Sequence, residues 1–386
     1  MARFGEYISA DSHVTEPEAA FATIDPEFAD RAPRLTHLPG QGATIVVDPG
    51  GPDESFVPFG RIAAAGRTRI PKPGGWSWDE LHPGGYDPVA RLEEMSADGF
   101  AAEVIFPSGG MVLCAHPDAA YKKACFDAYN RWIAEWCATD PDRLLGVGQT
   151  AVRTPDEAIR DLEAIKALGL RGVMLPGFPG AEDWHHPMYD PLWEAIIDLG
   201  LPASFHILTS GEGKRWRGPG MNGFLGIFHS NQDLLGTLIF GGVFQRHPDL
   251  RVVCVEADAG WAPHFMFRMD TLYERHHAWV GKTDMGPGSS SDPSIRHTDL
   301  SRRPSEYFRE NIYVTFQDDE VALRMLDLLN LERLMWANDH PHSDSTWPES
   351  EAMRERFAAI VDEPTLDRIV RDNCADLYGI ATAAPA

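Results

Sequence analysis

The chain has 386 residues, 43% of them hydrophobic, and a formal net charge of −24. This length admits one large barrel or two ordinary domains, and no apolar stretch is long enough to cross a bilayer. The charge argues against nucleic acid or an anionic membrane as a partner. The first ten residues lack the apolar core of a signal peptide and the five cysteines have no metal-finger spacing, so we expect reduced thiols and a cytoplasmic location.

Strand-like and helical segments alternate along the chain. The first strand ends at Asp11, and a long polar insert rich in glycine and proline follows at residues 26–85, with a short hairpin inside it. We expect this insert to act as a lid over the barrel mouth. Further strands are predicted at 102–106, 144–149, 173–175, 203–206, 252–256, 312–316 and 334–337. Helices are predicted at 88–95, 116–138, 155–168, 191–199, 226–244, 260–279, 320–329 and 349–378. A polar stretch at 281–303 is predicted to be a surface loop.

About eight strand–helix units in one chain are typical of a (β/α)8 TIM barrel, and we predict a single domain over residues 1–386. A two-domain doubly wound fold is the alternative. It is disfavoured because no Gly-x-Gly-x-x-Gly turn follows an early strand and no change of composition divides the chain.

Four of the predicted strands end on a carboxylate or an imidazole. They supply Asp11 with His13, then His206, Glu256 and Asp339. Asp11 and His13 are two residues apart on a strand and therefore point to one face, and barrel enzymes carry their reactive groups at the carboxyl ends of strands. We therefore expect these side chains to converge on a metal ion. Each also has an ordinary alternative, because aspartates cap helices and turns and single histidines are often structural.

The donor types also indicate the kind of metal. Carboxylates together with two imidazoles suit Zn²⁺, Mn²⁺ or Fe²⁺, and no cysteine ends a strand to make a thiolate site. We expect one or two divalent ions, with Zn²⁺ placed first and Mn²⁺ or Fe²⁺ as the alternatives. Such an ion brings the pKa of its bound water toward neutrality and polarises a carbonyl or carboxylate of the substrate.

Several segments resemble the amidohydrolase superfamily, in the branch called amidohydrolase-related or aminocarboxymuconate-semialdehyde-decarboxylase-like. The matching segments are 11–17 (Asp-Ser-His-Val-Thr-Glu-Pro), 242–250, 256–261, 304–308, 338–342 and 372–373. The resemblance implies a distorted (β/α)8 barrel with a divalent metal. It makes Asp11 and His13 the metal pair of the first strand, His206 the histidine of the fifth, and Asp339 a last-strand ligand that also shuttles a proton.

Two departures from the family pattern concern the metal. The first strand carries Asp11 where the most familiar motif has a histidine, and the sixth ends in Glu256, where a histidine often helps to activate water. No lysine lies at 173–177, so a carbamate-bridged metal pair is not expected. Glu256 could bridge two ions, ligate a second ion, or act as a general base.

Other residues are candidates for the substrate pocket. His229, on the helix after the fifth strand, is either a structural histidine or a further ligand or acid–base catalyst. His340 or His342 could orient Asp339 through a hydrogen bond. Arginines in the two long loops could hold a substrate carboxylate, and aromatic residues there could wall an apolar substrate or simply anchor the loops. These loop residues are Arg67, Arg69, Arg215, Arg217, Trp76, Trp78, Trp216 and Phe224.

Three activities on a small organic substrate fit this pattern. The first is hydrolysis of a C–N, C–O or lactone bond by metal-activated water. The second is non-oxidative decarboxylation of an aromatic or unsaturated carboxylic acid. The third is oxygenation by a non-haem diiron monooxygenase, an alternative that remains because Glu256 replaces a histidine with a carboxylate. A barrel retained as a binding or scaffold protein is the non-enzymatic alternative. We also expect a homodimer, formed through the helix predicted at 260–279 and the loop after it.

Overall fold

The computed structural model describes residues 7–67, 72–210, 218–280 and 298–381. Within them, eight parallel strands form one sheet and three antiparallel strands form a smaller one. The strands are β1 (Tyr7–His13), β2 (Arg34–Leu38), β3 (Gly42–Val47), β4 (Ser55–Val57), β5 (Phe100–Phe106), β6 (Leu144–Gln149), β7 (Gly172–Met174), β8 (Ala203–His206), β9 (Val252–Val255), β10 (Ile312–Phe316) and β11 (Leu334–Trp336).

The eight-stranded sheet nearly closes into a barrel, in the order β1, β5, β6, β7, β8, β9, β10, β11. Its first and last strands approach each other at their carboxyl ends. There the Asp339 N–H donates to the Asp11 carbonyl at 3.0 Å, and the His13 N–H donates to the His340 carbonyl at 2.7 Å. The predicted (β/α)8 barrel is confirmed, and its closure brings the first-strand and last-strand site residues side by side.

Helices follow the barrel strands along the chain. They are α1 (Phe59–Ile62), α2 (Pro88–Ala97), α3 (Gly109–Cys114), α4 (Ala119–Cys137), α5 (Pro155–Ala167), α6 (Asp190–Leu199), α7 (Gly220–Phe240), α8 (Val243–Arg246), α9 (Ala262–His276), α10 (Pro304–Asn311), α11 (Glu320–Arg324), α12 (Ser350–Ala358), α13 (Glu363–Asp367) and α14 (Asn373–Tyr378).

Some predicted helix boundaries were wrong because capping residues were overlooked. The helix predicted from 116 begins only at α4, since the Asp118 carboxylate accepts the N–H groups of Ala120 and Tyr121 at 3.1 Å each. The long helix predicted at 349–378 is divided into α12, α13 and α14. Asp362 starts α13 by accepting a backbone N–H at 3.1 Å.

The insert after the first strand lies against the loop that follows the last strand. β2, β3 and β4 form its antiparallel sheet, which confirms the predicted hairpin (β3 with β4) and adds β2. The Ala65 N–H donates to the Pro341 carbonyl at 3.1 Å, and the Ser343 N–H donates to the Ile62 carbonyl at 2.6 Å. The insert therefore supports the loop after β11, and a lid function for residues 26–85 stays a prediction.

Both faces of the barrel strands are buried. Along β9, Val253 and Val255 belong to the inner apolar cluster with Val104 of β5, whereas Val252 and Cys254 pack with the helices. Such two-sided burial is expected where helices cover a parallel sheet. All five cysteines are buried and none forms a disulfide bond within the described residues, and no helix of these residues is long and apolar enough to cross a bilayer.

The surface predicted to form a dimer is described in part. On α9, Phe265 packs against the core and Met269 is buried, whereas Phe267 is 64% exposed. Of the surface loop predicted at 281–303, residues 281–297 lie outside the described residues. A homodimer formed through this face stays a prediction.

Candidate metal centre

The five side chains predicted to bind metal lie together at the carboxyl end of the barrel. The Nε2 atom of His13 is 3.3 Å from Asp11 Oδ1 and 3.3 Å from Asp339 Oδ1. The Nε2 atom of His206 is 3.5 Å from Asp11 Oδ1 and 3.4 Å from Glu256 Oε2. The two histidine Nε2 atoms are 3.1 Å apart. Four of the side chains are fully buried, and that of Glu256 is 13% exposed.

The donor atoms form two overlapping groups. The first group is Asp11, His13, His206 and Glu256, and the second is His13, Glu256, Asp339 and His342, with the donor atoms of each group within 4.8 Å of one another. His13 and Glu256 belong to both. The sequence pattern names His342 only as a residue that could orient Asp339. Its Nδ1 atom lies 3.0 Å from Asp339 Oδ1, so it is also a possible ligand.

Backbone carbonyls set the orientation of two of the imidazoles. Nδ1 of His13 lies 3.1 Å from the Pro107 carbonyl oxygen, and Nδ1 of His206 lies 3.1 Å from that of Ile207. Since a carbonyl only accepts, each Nδ1–H donates and each Nε2 keeps its lone pair toward the carboxylates. Burial and the nearby His342 lower the pKa of His13 to about 3. The ring is therefore neutral near pH 7, as metal binding requires.

A serine hydroxyl orients the third imidazole. The Ser108 Oγ–H donates to the Val14 carbonyl at 2.6 Å, and its oxygen lies 2.8 Å from His342 Nε2. The hydroxyl proton is already used, so His342 Nε2–H donates to Ser108 and Nδ1 keeps the lone pair that faces Asp339. In these tautomers Nε2 of His13, Nε2 of His206 and Nδ1 of His342 face the same small volume. Burial of His206 is outweighed by the charge of Asp11, which raises the pKa of that imidazole.

The carboxylates of Asp11 and Asp339 in this volume lack hydrogen-bond donors. Neither oxygen of Asp11 or Asp339 accepts a hydrogen bond from a described residue, although all four atoms are buried. Burial and the charge of Asp11 raise the pKa of Asp339, and burial and the charge of Asp339 raise the pKa of Glu256. Buried carboxylates of this kind are unfavourable without a cation or a proton. Carboxylates set among imidazoles therefore fit a divalent metal ion.

Glu256 and Asp339 have a strained backbone conformation that directs their carboxylates into the site. Glu256 has a φ of 57° and Asp339 a φ of 55°, in the left-handed region that non-glycine residues rarely adopt. Such a conformation costs on the order of 1–3 kcal/mol and needs local support. The Thr315 hydroxyl oxygen accepts the Glu256 N–H at 2.9 Å, and the Asp339 N–H is held by the first strand. Both side chains directly follow the ends of their strands at the barrel mouth.

A buried ion pair lies beneath the metal centre. Arg91 is fully buried, and its Nε donates to Glu103 Oε2 at 2.6 Å. Its other nitrogens donate to the carbonyls of His13 and His340, both at 3.1 Å. Asn338 donates to the second oxygen of Glu103 at 3.1 Å. Sequence reasoning missed this network because Arg91 and Glu103 lie away from the strand ends.

The remaining candidate histidine lies away from these atoms. His229 is exposed on α7, where it lines a cleft of about 1250 Å³ between that helix and the loops that follow β5, β6, β7 and β8. It belongs to neither donor group at the barrel mouth. Its catalytic role stays a prediction, and its position indicates the cleft rather than the metal as the place of any such role.

The predicted loop residues are described only in part. Arg67 donates to the carbonyl of Glu80, and its guanidinium carbon lies 5.0 Å from the ring centre of Trp76, so it anchors the insert. Three further arginines and a tryptophan lie outside the described residues, namely Arg69, Arg215, Arg217 and Trp216.

Comparison with known proteins relates the chain to one family. A family model described as amidohydrolase matches residues 78–380. Among curated proteins, gamma-resorcylate decarboxylase of Rhodococcus jostii (strain RHA1) is 27% identical over 276 residues, which is 64% of this chain and 74% of that protein.

Solved structures show the same fold over nearly the whole chain. An amidohydrolase from Mycobacterium avium subsp. paratuberculosis K-10 has a TM-score of 0.73 at 21% identity and covers 98% of this chain and 100% of its own. A dihydroxybenzoic acid decarboxylase from Polaromonas sp. JS666, with bound manganese and the inhibitor 2-nitroresorcinol, has a TM-score of 0.61 at 17% identity. That alignment covers 98% of both chains.

Proposed function

The chain belongs to the amidohydrolase family, and we propose that it is a metal-dependent decarboxylase of an aromatic or unsaturated carboxylic acid. The observation that carries this proposal is the cluster of buried side chains Asp11, His13, His206 and Asp339 at the barrel mouth, in which the carboxylate oxygens accept no hydrogen bond from a described residue. The sequence alone favours hydrolysis. The Rhodococcus jostii relative, which is a decarboxylase by name, supports CO2 release instead.

Asp11, His13, His206 and Asp339 would hold the ion. When bound there, it would supply a Lewis acid that polarises the oxygen atoms of the substrate. We propose Mn²⁺ rather than the Zn²⁺ that the sequence alone favours, because the Polaromonas decarboxylase of the same fold contains manganese. A donor set rich in carboxylates also suits Mn²⁺.

Decarboxylation requires a proton as well as a metal. The bond between the carboxyl carbon and its neighbour breaks, the electron pair stays on the neighbouring carbon, and a proton takes the place of the departing CO2. Glu256 and Asp339 are the acidic groups that can hold this proton at a carboxyl oxygen. Glu256 is 13% exposed whereas Asp339 is fully buried, so Glu256 is the residue that can exchange the proton with water.

The test measures metal and product together. Protein purified without added metal is submitted to elemental analysis and assayed in H2¹⁸O for CO2 release from gamma-resorcylate, related hydroxybenzoic acids and hydroxyisophthalic acids. We expect manganese in the protein, CO2 release, and no ¹⁸O in the organic product. His206→Ala should lose the metal and lower kcat by more than about 100-fold with its circular dichroism unchanged.

His37→Ala is the matched control, because His37 is an exposed histidine on β2. It should keep both metal and activity. Hydrolysis of a lactone or an anilide with ¹⁸O in the product, together with no CO2 release from these acids, would establish hydrolysis in place of decarboxylation. Full activity in metal-free protein would contradict both.

The second donor group favours one further candidate, a dinuclear iron oxygenase. Glu256 and His13 belong to both groups, and His342 with Asp339 completes the second. A carboxylate shared by two donor groups can bridge two ions. The same elemental analysis separates the candidates: two irons per chain with consumption of O2 would favour the oxygenase, and one manganese would exclude it.

A further inference from the structure

The cleft beside α7 adjoins the metal centre. Thr209, which lines the cleft, donates its hydroxyl proton to the His206 carbonyl at 2.8 Å. The cleft walls come from the loops after β5, β6, β7 and β8, on the same face of the barrel as the metal-binding side chains. A substrate that reaches the barrel mouth is therefore next to this cleft, because ligands of barrel enzymes bind at that face.

One wall of the cleft carries a buried cation without a counter-charge. Lys122, on α4, lines the cleft and is 7% exposed. Its ammonium donates to the Cys114 carbonyl at 3.1 Å, and it forms no ion pair with any carboxylate in the described part of the chain. Burial lowers the pKa of this lysine.

Its neighbour on the same helix shows the usual arrangement. The ammonium of Lys123 lies 2.9 Å from Asp127 and 2.7 Å from Asp161. Two other basic groups of the cleft wall are also engaged, since Arg153 pairs with Glu157 at 2.6 Å and the imidazole Nδ1 of His116 accepts a backbone N–H at 3.2 Å.

The energetics indicate what is missing at Lys122. A buried ion without a partner costs several kcal/mol, and an ammonium has three N–H donors, of which Cys114 takes one. A chain of net charge −24 has acidic residues in ample supply, yet none pairs with this lysine among the described residues. An anionic group of a bound ligand would provide both the charge and the missing acceptors.

We propose that Lys122 is the anion-binding residue of this cleft, and that the substrate is an organic acid with a second anionic group, which Lys122 holds. Binding of the anion stands on the cleft alone. The placement of the reacting carboxylate at the metal rests on the proposed function. Lys122 thus determines specificity, because an acid without the second anion leaves the ammonium unpaired.

The test uses isophthalate as the dianionic probe and benzoate as the monoanionic one. Calorimetric titration of the metal-loaded protein should show isophthalate binding at least tenfold more tightly than benzoate. Lys122→Met should remove this difference by weakening isophthalate binding at least tenfold. Lys166→Met, which removes the same charge from an exposed position on α5, should bind both acids as the wild type does.

A second measurement needs no variant. Isophthalate should slow acylation of Lys122 by an amine-reactive reagent, read by peptide mass spectrometry, and should leave Lys166 unprotected. Wild-type affinity in Lys122→Met, or the absence of protection, would overturn the proposal. Lys122-dependent binding in a protein that releases no CO2 would instead overturn only the proposed function.

Discussion

Two buried cations lie near the carboxyl face of the barrel, and their surroundings differ. Arg91 has a carboxylate partner, Glu103, and donates to three backbone carbonyls, those of His13, Gly84 and His340. Lys122 has a single carbonyl partner and no ionic one among the described residues. The charge and the N–H donors of Arg91 are satisfied within the fold. The ammonium of Lys122 has no described counter-ion, and two of its N–H donors have no described acceptor.

This difference separates a structural cation from one that is available to a ligand. The guanidinium of Arg91 donates hydrogen bonds to the backbone carbonyls of His13 and His340. These bonds align the first and last strands under the metal centre. Lys122 faces a cleft wide enough for an organic acid. Because a partnered charge is costly to disrupt and an unpartnered one is not, substitutions at the two positions should have opposite consequences.

The largest effect is expected for Arg91→Met. Removal of the guanidinium leaves Glu103 as a buried unpaired carboxylate, which should lower the free energy of unfolding by about 3–5 kcal/mol. The carbonyls of His13 and His340 also lose the guanidinium N–H groups, although that of His340 keeps the His13 N–H, so the metal content should fall. Urea denaturation and elemental analysis measure the two effects.

Two further variants serve as controls for Arg91→Met. Arg160→Met, which changes an exposed arginine on α5, should leave both quantities unchanged. Arg91→Met/Glu103→Leu should recover part of the stability but not the metal, because neither carbonyl regains its guanidinium N–H. Wild-type metal content in the single variant would show that the network does not position the site.

An intermediate effect on the free energy of unfolding is expected for Glu16, a buried acid whose hydrogen-bond donors, like those of a satisfied ion, come from within the fold. Its carboxylate accepts the N–H groups of Gly109 and Gly110 at 3.0 and 3.2 Å, and burial raises its pKa from 4.5 to about 7. The native state therefore binds a proton more tightly than the unfolded state between these values. The contribution of Glu16 to stability should be fully present below pH 4.5 and be lost, by roughly 3 kcal/mol, as the pH rises from 4.5 through 7.

Glu16→Gln removes this titration and should flatten that part of the pH profile. Urea denaturation at several pH values from 4.5 to 8 measures the difference between variant and wild type, in which contributions from other titrating groups cancel. Glu163→Gln, at an exposed position of α5, should keep the wild-type slope. Parallel profiles for wild type and Glu16→Gln would falsify the assignment.

The barrel and the five strand-end residues could be predicted from sequence because both are local patterns. Short apolar runs that alternate with segments of helical periodicity predict the order of the strands. A carboxylate or imidazole directly after such a run lies at the barrel mouth. His13, His206 and Asp339 were found in this way. His342 was found only as an orienting residue, because its distance from Glu256 depends on how the loop after β11 folds.

Arg91 and Lys122 could not be found from sequence, and for the same reason. Each lies on a helix among other charged residues, where a solvated side chain is the ordinary expectation. Their burial depends on which face of the helix meets the barrel and on partners such as Glu103, which lies on a strand 12 residues farther along the chain. Only the three-dimensional packing distinguishes Arg91 from Arg160, or Lys122 from Lys123.

The smallest effect is expected for the stability of Lys122→Met without ligand. Methionine keeps the apolar stem of the lysine and removes a buried charge that no described carboxylate compensates, so the free energy of unfolding should stay within about 1 kcal/mol of the wild type or rise. Lys123→Met loses contacts to Asp127 and Asp161 and should cost about 1–3 kcal/mol. Urea denaturation of the two variants compares adjacent residues of one helix. A loss at Lys122 as large as that at Lys123 would mean that the fold itself uses this ammonium, and that it is not reserved for a ligand.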